Sequence, residues 1–287
     1  MKKWKADNDA KLKDYPTRIK DIDSNFAKEE LKNVRKEIAN IQEKLYAHNK
    51  YAVLICFQGM DTAGKDSLIR EVFKDFNARG VSVYSFKTPS VKELQHDFLW
   101  RHYIALPERG KFAVFNRTHY ENVLISKVNT DILANEHLPS LVLDKKIPKE
   151  FWKDRYESIN NFEKHLHKNG TIILKFYLHL SKEEQRARLL RRLEKEKHNW
   201  KFSPTDLKER KKWKLYSAAY QDIIQNCSTD YAPWYIIPAD DKKVCRYLVA
   251  QTILDVLDKY KDLQFPTLDE EIKQNINYYK KQLEEED

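Results

Sequence analysis

The sequence predicts an α/β protein, a three-layer sandwich built on a central parallel five-stranded sheet. Five apolar runs, YAVLICF, VSVYSF, KFAVFN, TIILKFYLHL and WYIIPA, are nearly continuous rather than alternating, as strands buried on both faces of a parallel sheet require. Stretches of helical length separate them, and strand–helix alternation is the pattern of a doubly wound fold. Three of the five glycines, Gly80, Gly110 and Gly170, directly precede such a run, where glycine ends a helix or turn.

In chain order, a helix rich in Glu and Lys at about 29–48 lies in an N-terminal helical extension of about 1–48. The first strand, YAVLICF, leads through Gly59 and Gly64 into a helix from Asp66 to Arg79. VSVYSF is followed by a helix from Val91 to Tyr103, and KFAVF by helices from Thr118 to Val128 and Lys149 to Lys168. After TIILKFYLHL, Ser181-Lys-Glu-Glu184 reads as a capping box opening a helix to Lys197. Ser203-Pro-Thr-Asp206 places Ser at the next cap, Pro at the first helical position and an acid in the first turn, framing a lid hairpin of about 181–227. WYIIPA follows Pro233, and a helix at about 267–285 closes the chain. Without repeats, low-complexity tracts or a Pro/Gly/Ser linker, residues 1–287 form a single domain.

Composition narrows the function classes. No stretch of 18 apolar residues and no secretory leader occurs, so a cytoplasmic protein without a membrane partner is expected. Cys56, Cys227 and Cys245 are far apart and read as buried thiols, not as a disulfide or zinc framework. His165 and His167, lacking an acidic or Cys companion at metal spacing, read as surface histidines. The formal charge of +9 favours an anionic partner, and +7 of it falls between Lys182 and Lys214, where 13 Lys/Arg meet 6 Asp/Glu.

Gly59-Met60-Asp61-Thr62-Ala63-Gly64-Lys65, set between a strand and a helix, meets the requirement for a phosphate-binding loop. Its amides and helix start cradle phosphate oxygens, and Lys65 adds a positive charge. Asp66 stands where such loops usually give magnesium a hydroxyl, with Ser67 one residue further on. Asp61 sits inside the loop, where magnesium or a proton must offset repulsion from phosphate. It is a metal ligand or orients an attacking phosphate, the plainer alternative being an Asp that stabilises the turn.

KFAVF ends in Asn116-Arg117-Thr-His-Tyr-Glu121, at the sheet edge where ligands of open α/β folds collect. Asn116 offers a neutral oxygen, Arg117 a cation or the partner of a nearby acid, and Glu121 a second carboxylate. Lys87 closes VSVYSF in the same geometry. Arg188, Arg192 and Lys195 recur at i, i+4 and i+7, either the wet face of a surface helix or a lid whose arginines reach a transferring phosphoryl group. With such a lid the fold class becomes phosphate-loop kinase-like, and a lid this cationic suits a long polyanion.

GMDTAGKDS, FNRTHYENVL, ELQHDFLWR, RLLRRLEKEKHNWKFSPTDLKER and APWYIIPADDK occur in the order and spacing of the second family of polyphosphate kinases, which the chain resembles from about 30 to 260. The resemblance implies a thymidylate-kinase-like core with a helical lid and magnesium-dependent phosphoryl transfer, manganese being the alternative ion, between inorganic polyphosphate and AMP, ADP or ATP. GMP and GDP remain open as further acceptors. It makes Asp61 and Lys65 the catalytic pair of the loop, with Asn116 and Arg117 beside them, Arg188, Arg192 and Asp206 in the lid and Lys87 on phosphate. Many members carry Asp at 116; the Asn-Arg-Thr-His-Tyr-Glu form resembles the subgroup that phosphorylates both AMP and ADP, with Glu121 distinguishing it, and shifts the metal-binding duty from position 116 toward Asp61 or Glu121. Dimers or tetramers are implied, without a nucleic-acid partner. The rival readings are an ATP-dependent nucleoside monophosphate kinase and a nucleic-acid-binding protein using Trp200, Phe202 and Trp213.

Overall fold

The computed structural model describes residues 2–139 and 147–286. Five strands, β1 (Ala52–Gly59), β2 (Val81–Ser85), β3 (Phe112–Asn116), β4 (Thr171–His179) and β5 (Trp234–Pro238), pair in parallel in the order β2-β3-β1-β4-β5. The chain leaves β1 toward one edge of the sheet and later returns to the other side of it, so β1 ends at the switch point where ligands of open sheets bind.

Alternate side chains of β1 divide the core into two layers. Val53, Ile55 and Phe57 pack with Val34 and Ile38 of helix Ser24–His48, Leu68 and Ile69 of helix Lys65–Val72, and Leu248 and Ile253 of helix Lys242–Leu257. On the opposite face Leu54 and Cys56 meet Phe115, Phe162 and Leu166, the last two from helix Lys149–Lys168. Tyr120, Val123, Ile223 and Ile224 extend that second layer through helices Glu121–Val128 and Trp213–Cys227. All three cysteines are buried and free, and His165 and His167 are exposed, as predicted.

Several elements depart from expectation. β2 is an edge strand bonded only to β3, and it is largely exposed, Val83 to 52%, so its apolar run does not mark double-sided burial. The helix expected to reach Arg79 stops at Val72: Phe73 and Phe76 turn inward and stack edge-on toward Phe112, while Arg35 donates to the Glu71 carbonyl left free. The stretch 91–103 forms two turns, Val91–Leu94 and Trp100–Tyr103, parted where Asp97 caps the amide of Leu99. The helix expected at 181–197 breaks at Lys195. Its capping box is half formed, because Ser181 accepts from the Glu184 amide while the Glu184 carboxylate turns to Arg188. The box at Ser203 and Asp206 forms in full.

The N-terminal extension is helical only from Ser24. Before it, two short 3-10 turns and extended chain run against the edge of β5, with the Ala6 amide donating to the Trp234 carbonyl at 2.8 Å and Lys5 bridging Tyr235. Helix Lys242–Leu257 was not anticipated, although Asp241 caps it and Val244, Leu248, Val249 and Ile253 have helical spacing. The final helix, Glu270–Glu284, carries no buried residue, and Asp287 lies outside the described residues. Among the described residues no helix is long and apolar enough to cross a membrane.

Candidate functional site

The loop between β1 and helix Lys65–Val72 owes its shape to two glycines. A Cβ on Gly59 would stand 3.0 Å from the carbonyl oxygen of Leu178 and 3.1 Å from the Ala63 side chain, a crowding that its neighbours would have to shift to relieve. Gly64 caps the helix with φ +100°, in the left-handed region that favours glycine. Thr62 also has positive φ (66°), so the loop stores strain that its surroundings must hold.

What holds it is the lid. Arg188 of helix Lys182–Glu194 is buried, and its guanidinium donates to the carbonyls of Thr62 (2.9 Å), Ala63 (3.0 Å), Ala239 (2.7 Å) and Asp240 (3.1 Å), with Nε on Glu184 at 2.8 Å. All five donors are used. Arg188 is therefore a clamp that ties the loop to the end of β5, not the reaching phosphate ligand its stripe suggested. Gln185, which sequence reasoning missed, adds a bond to the Asp61 carbonyl at 3.0 Å.

Arg192 stands one turn further along. It lies 3.5 Å from the Asp61 carboxylate and 3.0 Å from that of Asp206, linking loop and second lid helix Pro204–Lys211. Lys195, third in the predicted stripe, is absent from the cavity lining, because the helix ends there; Arg191, His198 and Lys201 take its place.

Lys65 bonds back to the Gly59 carbonyl at 2.9 Å, and its pKa is lowered by burial and by Arg117 against the opposing pull of Glu121, Asp61 and Asp66. Ser67 turns its hydroxyl to the Gly64 carbonyl at 3.0 Å, completing a turn. Asp66 accepts a hydrogen bond from the Asn116 amide, which also approaches Ser85 at 3.4 Å. The two residues that depart from the usual loop chemistry are thus partners, tying the loop helix to the ends of β2 and β3. Met60 and Ala63 are buried and support the loop from beneath.

Arg117 has φ 60° and is exposed, and among the described residues it meets no acid. Lys87 is likewise exposed, and its ammonium meets no acid among the described residues. Both line a cavity of about 610 Å³ that also holds Asp61, Lys65, Asp66, Asn116 and Lys242. Eight Lys/Arg side chains surround this space against two carboxylates. Lys242, also missed from sequence, is pushed down to about 8 by partial burial and by the neighbouring Arg188, Arg191 and Arg246.

Lys87 and Arg117 also border a second cavity of about 310 Å³, which contains Glu121 and is lined by Phe86, Leu94, Phe98, Ile125 and Ile132. Arg101 crosses the Phe86 ring at 5.1 Å and pairs with Glu93 at 3.2 Å. Behind it His102 is driven down to about 2 by burial, His119 and Arg101. Glu121 lines this second space and stays near enough to Lys65 of the loop to oppose the lowering of its pKa. A larger cavity of about 850 Å³ around Trp152 and Leu215 contains no loop residue.

No group of three or more His, Cys, Asp or Glu side chains among the described residues is arranged to hold a metal. The exposed Asp61 carboxylate, with Asp66 nearby, fits magnesium, which commonly takes one or two protein carboxylates and completes its shell with substrate phosphates and water.

Comparison with known proteins agrees with this geometry. Residues 21–265 match the family described as Polyphosphate kinase 2 (PPK2). An ADP-polyphosphate phosphotransferase of Rhodopseudomonas palustris is 50% identical over 224 residues, covering 78% of this chain and 76% of that one. An AMP/ADP-polyphosphate phosphotransferase of Meiothermus ruber is 40% identical over 232 residues, 81% of each chain. The crystal structure of Polyphosphate Kinase 2 from Arthrobacter aurescens superposes with a TM-score of 0.85 at 33% identity, covering 93% of this chain and 91% of that one.

Proposed function

Because this chain belongs to the polyphosphate kinase 2 family, we propose that it transfers the terminal phosphoryl group of inorganic polyphosphate to AMP or ADP. The observation that carries the reading is the junction of two unlike cavities at Arg117 and Lys87. The larger, cationic cavity suits a phosphate chain, and the smaller, partly aromatic one suits a nucleoside, whose phosphates would extend toward the loop.

A terminal phosphate oxygen of the nucleotide attacks the terminal phosphorus of polyphosphate. A new P–O bond forms as the bond to the bridging oxygen breaks, and the shortened chain departs carrying the negative charge. The attacking oxygen is already ionised, so no protein base is needed. Lys65 and Arg117 offset charge on the transferred group, and the Arg188 clamp keeps the loop amides aimed at it. Magnesium, held by Asp61 with Asp66 beside it, would neutralise the facing phosphates when bound. Manganese is the alternative ion.

The family does not favour an ATP-dependent nucleoside monophosphate kinase. ADP and ATP formation from AMP or ADP, with magnesium and long-chain polyphosphate, tests the reading beside Asp61→Asn and a control without polyphosphate. Polyphosphate-dependent product that the variant fails to make supports it; no product from either acceptor overturns it. GMP and GDP in the same assay decide the base.

A further inference from the structure

Behind the site lies a polar network that the transfer reading leaves unused. Lys175 of β4 and Glu163 of helix Lys149–Lys168 are fully buried and paired at 2.6 Å. Lys175 also donates to the Tyr120 hydroxyl at 2.8 Å and the Cys227 carbonyl at 2.6 Å, so all three ammonium protons have acceptors. The other Glu163 oxygen accepts from Tyr120 at 2.7 Å and faces His119 Nε2 at 3.1 Å. Burial alone would raise the Glu163 pKa, but Lys175 and His119 outweigh it and hold the carboxylate ionised.

A buried ion pair is weak support for stability, since a well-packed apolar pair of similar size does as well or better. What this pair does secure is one arrangement of the groups it touches. Two of those are His119 and Tyr120, which separate Arg117 from Glu121. The same segment is tied to the phosphate-loop strand: Thr118 Oγ1 accepts from Gln58 at 3.2 Å and from the Tyr120 amide at 3.1 Å. Arg117 meanwhile holds a left-handed backbone (φ 60°), a conformation that persists only where neighbours over-determine it.

We infer that Lys175 and Glu163 are positioning residues for phosphoryl transfer, fixing through Tyr120 and His119 the backbone that aims Arg117 and Glu121 at the junction of the two cavities. This rests on the function proposed above. Neither residue lines either cavity.

Tyr120→Phe removes only the hydroxyl shared by Lys175 and Glu163, and Glu163→Gln keeps the shape while removing the charge. For either folded variant kcat falls about ten- to hundred-fold, while KM for polyphosphate and for ADP stays within about three-fold. Amide exchange across 117–121 accelerates at least about ten-fold relative to wild type, with β4 unchanged. Unchanged kcat in a folded variant, or a loss that vanishes when each protein is assayed equally far below its own melting temperature, overturns the positioning role. If wild type shows no polyphosphate-dependent transfer, the proposed function fails; unchanged exchange across 117–121 then overturns the positioning role independently.

Discussion

Asp66 accepts a hydrogen bond from the side-chain amide of Asn116. This explains two departures from ordinary phosphate-loop chemistry together, since the carboxylate that replaces the usual hydroxyl needs a donor, and an Asp at 116 would repel it. Asn116→Asp is accordingly predicted to lower the melting temperature at pH 7 by about 2–4 °C, for a cost of about 1 kcal/mol. The deficit shrinks as pH falls into the carboxylate range, where the introduced carboxylate takes a proton. Asp66→Ser combined with Asn116→Asp restores stability; thermal melts that show the double variant no better than Asn116→Asp would refute the pairing.

Arg188 supports a prediction about structure and catalysis together. Removing its side chain leaves four backbone carbonyls and Glu184 without their donor, and two of those carbonyls belong to the strained loop. Arg188→Ala is expected to destabilise the protein by about 2–4 kcal/mol and abolish transfer. Arg188→Lys recovers little, because an ammonium cannot reproduce the planar fork. Near-wild-type melting of the Lys variant in calorimetry would count against the clamp.

The same contrast shows what was legible in the sequence. The phosphate loop, the parallel strands and the Ser203 cap rest on local spacing, and all three form where the residues predicted them. Arg188 read as part of a cationic stripe because its acceptors are carbonyls of Thr62, Ala63, Ala239 and Asp240, which carry no side-chain signature and come from distant segments. Lys175 interrupts an apolar run, yet its partner Glu163 is identifiable only once helix and strand are packed. The exposure of β2 depends on strand order, which apolar content does not encode. Helix Lys242–Leu257, by contrast, is encoded locally, by its Asp241 cap and the helical spacing of its apolar residues.

Arg192 differs from Arg188 in being shared between carboxylates. It pairs with Asp61 and Asp206 at the surface of the cavity, so its contribution to stability is expected to be below about 1 kcal/mol. It also lines the cavity beside the loop, where a phosphate oxygen competes with the two carboxylates for the guanidinium. Arg192→Ala is therefore predicted to raise KM for polyphosphate about ten-fold, with the penalty diminishing as salt screens the remaining cations. Steady-state kinetics at two ionic strengths checks this. A variant that melts several degrees lower but keeps its KM would place Arg192 with Arg188 as scaffold.

Lys242 yields a pH dependence. Partial burial and three neighbouring guanidinium groups place its pKa at about 8, below the ordinary lysine value of 10.5. The unfolded chain therefore holds more protons across that interval, and this group's contribution to stability increases as pH rises from about 8 toward 10.5. Binding runs the other way. A phosphate chain in the cavity favours the charged ammonium, so polyphosphate affinity weakens as pH climbs through about 8 and binding there takes up a proton. Calorimetry of tripolyphosphate binding at pH 8.5 in buffers of different ionisation enthalpy should show that uptake in wild type and its loss in Lys242→Met. Equal proton uptake by both proteins would remove Lys242 from the anion's surroundings, leaving Lys65 as the other depressed lysine in the same cavity.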